Sequence, residues 1–85
     1  MPTPMIVDLT LLLTYLTSWD ERLSGTRLRR AWRGYDFEAL DRLQAAGDVS
    51  FSRRSKSLVL TDAGIQRAKR LEAAITTVLS SCRVR

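Results

Sequence analysis

Residues 47–61 read Gly47-Asp48-Val49-Ser50-Phe51-Ser52-Arg53-Arg54-Ser55-Lys56-Ser57-Leu58-Val59-Leu60-Thr61. Val49 and Phe51 are apolar while Ser50 and Ser52 are polar, the period-2 pattern of a strand with one buried face. Ser57-Leu58-Val59-Leu60 reads as its partner. Between them Arg53-Arg54-Ser55-Lys56 holds no apolar residue. The stretch therefore predicts a two-stranded hairpin near residues 48–60 with a basic tip. Because helical patterns flank it on both sides, the fold class is α+β.

Upstream, Asp36 is placed to cap a helix, in which Phe37, Leu40 and Leu43 recur every three residues until Gly47 ends the pattern. Downstream, Thr61 caps a long helix whose stripe is Ile65, Ala68, Leu71, Ile75, Val78 and Leu79. Arg67, Lys69 and Arg70 fall on its solvent side. Gly64, in the first turn, weakens the helix, which implies close approach of a neighbouring element. Before Gly34 the reading divides. In Thr26-Arg27-Leu28-Arg29-Arg30-Ala31-Trp32-Arg33, the spacing of Leu28, Ala31 and Trp32 fits a two-turn helix, and an extended segment is the alternative. Asp20–Ser24 reads as a polar connection punctuated by Gly25. On the helical reading, Gly34-Tyr35-Asp36 is a turn between two helices. The chain opens on a further helix with Ile6, Leu9, Leu12, Leu13, Leu16 and Trp19 on one face and Thr10, Thr14 and Thr17 on the other. Val7, Leu11 and Tyr15 widen the apolar arc, so this helix is either buried on several sides by its own domain or shared with a second copy. Trp32 and Phe37 are expected in the core, and Tyr35 stands between core and surface.

Length sets the frame for this pattern. Eighty-five residues make one domain, 1–85, with a thin core. The chain has no His and one Cys, Cys82. That removes the commonest general base and zinc ligand and excludes a disulfide framework. With no glycine-rich phosphate loop, no metal-ligand spacing and no convergent carboxylates (Asp20 and Glu21 are adjacent and diverge), an enzyme is not expected. Neither a cofactor nor a metal is implied. The apolar run from Met5 to Leu16 is interrupted by Asp8, Thr10 and Thr14 and is too short to span a membrane. A cytoplasmic bacterial-type protein is the expectation.

Two resemblances attach to these residues. Leu40-Asp41-Arg42-Leu43-Gln44-Ala45-Ala46-Gly47-Asp48-Val49, followed by Leu58-Val59-Leu60-Thr61-Asp62-Ala63-Gly64, resembles the winged helix of the multiple-antibiotic-resistance-repressor type over about residues 36–70. Ala31-Trp32-Arg33-Gly34-Tyr35-Asp36, Phe37, Leu40, Leu43 and Lys56-Ser57-Leu58-Val59-Leu60-Thr61 are similar to a small bacterial family known as a domain of unknown function, over nearly the whole length. The resemblance implies a winged helix-turn-helix: three helices, a two-stranded hairpin wing and a C-terminal helix. It does not carry a function.

The charges supply the functional expectation. Lys plus Arg is 14 against 9 acids, a formal net charge of +5. Arg53, Arg54 and Lys56 cluster on the hairpin tip, and Arg27, Arg29, Arg30 and Arg33 on one short segment. Phosphate neutralisation by such groups gives salt-dependent affinity for double-stranded DNA. The helix expected to read bases is a poor reader, since Asp36, Glu38 and Asp41 are opposed only by Arg42, and Gln44 lies late. The expectation is thus a nucleic-acid-binding protein of the transcriptional-regulator kind, homodimeric through its first and last helices. Its phosphate contacts are Arg53, Arg54, Lys56, Arg27, Arg29, Arg30, Arg33 and Arg42. The alternative is a protein–protein interaction module presenting the acidic helix. Solvated charge is the bland reading of every basic cluster.

Overall fold

The computed structural model describes residues 2–82; Met1, residues 83–85 and the side chains of Leu23 and Cys82 lie outside that description. The elements run α1 (Pro4–Leu16), β1 (Trp19–Leu23), β2 (Thr26–Trp32), α2 (Phe37–Ala45), β3 (Val49–Ser50), β4 (Ser57–Leu60) and α3 (Asp62–Cys82). The class is α+β, with three helices and one antiparallel four-stranded sheet ordered β1-β2-β4-β3.

The predicted hairpin is present: β3 pairs β4, with Val49 opposite Leu60 and Ser50 opposite Val59. Its flanking helices start and stop as their residues dictate. Asp36 accepts a hydrogen bond from the Ala39 N–H at 3.0 Å, capping α2. Gly47 ends it at φ +84°, with Gly47 N–H donating to Gln44 O and Asp48 N–H to Leu43 O. That pair of bonds is a Schellman motif, which needs a residue at positive φ. Thr61 caps α3 by accepting from the Gly64 N–H at 3.0 Å, and donates its own hydroxyl to Gly47 O at 2.6 Å. Gly64 is the close approach its position implied, since a Cβ there would lie 2.0 Å from the Asp48 carbonyl oxygen.

Residues 26–33 are not a helix. Thr26–Trp32 is the strand β2, and of the expected connection Asp20–Ser24 only Ser24 is turn, because Trp19–Leu23 pairs with β2 as β1. The turn between them places Ser24 at φ +49° and Gly25 at φ +80°, the two positive-φ positions that close a two-residue hairpin. Asp20 faces Arg29 across the pair, and opposite charges there favour the strand. Gly34-Tyr35-Asp36 therefore joins a strand to α2 rather than one helix to another, and Gly34–Asp36 is not the turn of a helix-turn-helix.

All three helices contribute to one core with Leu11, Ala31, Leu40, Leu43, Val49, Leu58, Leu60 and Ala68 at its centre. The orientation of α1 reverses the expected one. Thr10, Leu11, Leu12 and Thr14 are buried, whereas Ile6, Leu9, Leu13 and Leu16 are exposed. Threonine burial is tolerated because each hydroxyl is satisfied locally: Thr10 donates to Ile6 O and Thr14 to Leu11 O. In α3 the stripe is buried only in its first half. Ile65, Ala68 and Leu71 meet the core, but Val78 and Leu79 are exposed. Tyr35 packs against the core and shares a hydrogen bond with Thr17. Trp32 and Phe37, expected inside, are instead 62% and 68% exposed.

Candidate nucleic-acid interface

The eight basic residues singled out above divide by what holds them. Arg29 donates to Ser18 Oγ at 2.6 Å, lies 3.2 Å from Asp20 Oδ1 and sits over the Tyr15 ring at 5.3 Å. Arg30 Nε lies 3.1 Å from Glu21 Oε1, and its Nη1 donates to Ser57 Oγ. Arg33 donates from Nη1 to the carbonyls of Ser52 at 2.8 Å and Ser55 at 2.6 Å, with its guanidinium 4.2 Å from the Phe51 ring centroid. These three work inside the fold. Arg42 is exposed in the last turn of α2 and has an interaction partner of its own. Arg27, Arg53, Arg54 and Lys56 are exposed, and among the described residues none has an ion-pair partner.

Arg33 gives the hairpin tip its shape. Its guanidinium bridges two carbonyls of the 51–56 loop, and the Ser55 N–H donates to Ser52 O at 3.1 Å. Ser55 Oγ donates to Ser57 O at 2.7 Å. One cation thus fixes the loop on which Arg53, Arg54 and Lys56 are carried, so little ordering entropy remains to be lost there on binding.

A second basic group lies at the other end of β2. Arg22 and Arg27 are opposite one another beside the 24–25 turn. Arg27, Arg29 and Lys69 line an open cleft of about 520 Å³ with Asp20 and Asp62. Arg33 lies six residue steps beyond Arg27, just past the end of β2, roughly 20 Å at the rise of an antiparallel strand. The two basic groups therefore do not merge into one patch. Arg67, expected on the solvent face of α3, is turned inward. It donates to Asp48 Oδ2 from Nε at 3.1 Å and Nη2 at 2.9 Å, and to Asp8 Oδ1 at 2.7 Å. Partial burial works against its charge, but the bonds and fields of Asp48 and Asp8 outweigh that and raise its pKa.

On α2 the carboxylate of Asp36 is engaged as the cap and Gln44 Oε1 accepts from the Phe51 N–H at 2.8 Å. Each of these contacts ties its side chain to the fold of α2 and the hairpin. The features not anticipated are Arg22 and the open face of the sheet. There Trp19, Glu21, Leu28, Arg30, Trp32, Ser57 and Val59 share the side opposite the helices. Alternation from the buried Ala31, Leu58 and Leu60 assigns that side once the register is known. Among the described residues no helix is long and apolar enough to cross a membrane.

Comparison with known proteins adds family but not activity. The chain matches, over residues 3–78, the family described as "Domain of unknown function (DUF6429)". It is 40% identical over 67 residues to the uncharacterized protein y4hR of Sinorhizobium fredii (strain NBRC 101917 / NGR234), covering 78% of this chain and 81% of that protein. No solved structure matches it.

Proposed function

We propose that this chain, which belongs to that family of unknown function, binds nucleic acid by its phosphates. The carrying observation is the 51–56 loop, where Arg53, Arg54 and Lys56 are exposed without an acidic partner on a backbone anchored by Arg33. Three like charges on one short loop repel, and a polyanion relieves that repulsion while releasing its counterions. The order α2, β3, β4, α3, with β2 pairing β4, supports a winged-helix-like arrangement in which this loop is the wing and strand β2 stands where a helix was expected. We infer with it a role in transcriptional regulation, for which the basic wing is the support. Base readout by α2 is limited, since Asp36 and Gln44 are engaged and Asp41 is acidic.

The test is binding of a 20-base-pair duplex and a 20-nucleotide single strand at low salt, read by fluorescence anisotropy. The triple variant R53A/R54A/K56A should weaken both and flatten the log–log salt dependence by up to about 2.7 for the duplex and about 2.1 for the single strand. D41A should bind no more weakly than the wild type. If neither nucleic acid binds at low salt, the proposal fails.

A second reading concerns assembly and is favoured by α1. Ile6, Leu9, Leu13 and Leu16 are 41–52% exposed along one helix face, and Val78 and Leu79 of α3 are exposed as well. A contiguous apolar helix face is the usual mark of an interface. We infer a homodimer through α1 and α3, which would double the phosphate contacts. Light scattering should give a dimer for the wild type and a monomer for L9D/L13D. A wild-type monomer at high micromolar concentration overturns it.

A further inference from the structure

Both tryptophans of the chain, Trp19 and Trp32, lie on the open face of the sheet. Their ring centroids are 5.0 Å apart with the planes at 46°, and Trp32 is 62% exposed. Register explains the meeting. Trp19 is opposite Arg30, so Trp32 is its diagonal neighbour on the same side. Leaving most of an indole in water forfeits much of the stabilisation that burying a large apolar side chain supplies.

The charge around the pair identifies what would cover it. Trp32 is opposite Ser57, one residue from Lys56, and Arg33 N–H donates to Lys56 O at 3.2 Å. Exposed Lys56 is therefore next in the chain to the residue opposite Trp32, and exposed Arg53 and Arg54 follow on the same short loop. On the face itself the Arg30 guanidinium is held between Glu21 and Ser57 Oγ, so Glu21 adds no uncompensated negative charge. Exposed aromatic faces with a cationic loop at one end suit a chain that alternates planar bases with phosphates, and such surfaces bind unpaired strands because stacked duplex bases offer no free face.

We propose that the open sheet face is a stacking platform for single-stranded nucleic acid, with bases on Trp32 and Trp19 and the backbone on Arg53, Arg54 and Lys56. The proposal rests on the nucleic-acid reading above and narrows its substrate class to unpaired strands. The experiment titrates the whole chain with a 20-nucleotide oligo(dT) and, separately, with a 20-base-pair duplex, following tryptophan fluorescence and anisotropy at low salt. Since both tryptophans belong to the pair, the fluorescence reports this face alone. Oligo(dT) should quench it and bind more tightly than the duplex. W32A should lower oligo(dT) affinity by about 5- to 150-fold, the range for losing one stacked base. W32F should retain most of the affinity, and circular dichroism should show W32A folded, as expected of an exposed side chain. Duplex binding that equals or exceeds oligo(dT) binding, with W32A affecting neither, overturns the platform while leaving the phosphate reading intact. Absence of binding to both overturns the two together. Fluorescence that changes with protein concentration but not with oligonucleotide assigns the pair to a contact between copies and also overturns it.

Discussion

Replacing Gly64 by alanine tests the junction on which the hairpin and α3 are both built. An alanine Cβ would stand 2.0 Å from Asp48 O, 2.8 Å from Asp48 C and 3.0 Å from Asp48 Cα. The obstruction is backbone, so no rotamer change removes it. Restoring an ordinary carbon–oxygen contact of about 3.3 Å requires a separation of about 1.3 Å between α3 and the 47–48 turn. That movement takes Asp48 O from the Thr61 N–H (3.0 Å) and strains the Asp48–Arg67 bonds (2.9 and 3.1 Å). The neutral bond is worth about 1 kcal/mol and each charged one about 1.5–3. Against this, alanine gains about 1 kcal/mol of helix propensity. With partial relaxation the net loss should be about 2–4 kcal/mol, a large share of the stability of so small a domain. Urea unfolding followed by circular dichroism, at matched protein concentration, measures it; the midpoint temperature should fall by about 10–25 °C. G34A is the control, because nothing lies within 4 Å of a Cβ at that position. A G64A protein as stable as the wild type would refute the close-approach argument and with it the joining of α3 to the 47–48 turn through Asp48.

Two further perturbations follow from the same geometry. R67A leaves Asp48, whose side chain is 7% exposed, without its charged partner, and urea unfolding should show a loss of about 2–3 kcal/mol. D8A removes the 43%-exposed partner of the same arginine and should cost less than about 1 kcal/mol. At the β1–β2 turn, S24N should raise stability by about 0.5 kcal/mol, since Asn tolerates positive φ better than Ser in a two-residue hairpin; thermal unfolding would show a rise of about 2–4 °C.

Residues 36–64 were legible in advance because several independent signals agree there. The Asp36 cap, the Gly47 stop, the change to period 2 and the Thr61 cap each demand one conformation. Residues 19–33 were not, because the apolar spacing Leu28, Ala31, Trp32 satisfies a helix as well as a strand. In the strand, Leu28 and Trp32 share the open face while Ala31 points inward, so the helical count had joined residues from opposite sides. What settles the strand is the two-residue turn at Ser24-Gly25 and the cross-strand charges Asp20–Arg29 and Glu21–Arg30, which gain meaning only once the register is known. The orientation of α1 was hidden for a different reason. Threonines that bond their own helix carbonyls behave as small core residues, so polarity misled about which face is buried. For the site, composition located the wing cations, but only the folded structure separates Arg33, which holds the loop, from Arg53 and Arg54, which the loop carries.

That separation bears on how salt should act on the protein. Arg29, Arg30, Arg33 and Arg67 join elements that a thin core holds weakly: β2 to the end of α1, β1 through β2 to β4, β2 to the 51–56 loop, and α3 to α1 and the 47–48 turn. Their partners are close, and in the Arg67–Asp48 pair one carboxylate is shielded from solvent, so added salt screens that contact little. Arg53, Arg54 and Lys56 are exposed, and any contact they make with a polyanion is screened strongly. Raising salt should therefore abolish phosphate-mediated binding well before it loosens the fold. A steep salt dependence of binding, with an unfolding midpoint that hardly moves over the same range, is the combined behaviour that the division of the arginines requires. Binding and stability lost in parallel would mean that the same cations serve both, contrary to the bonds that commit Arg33 and Arg67 to the fold and the exposure of Arg53, Arg54 and Lys56.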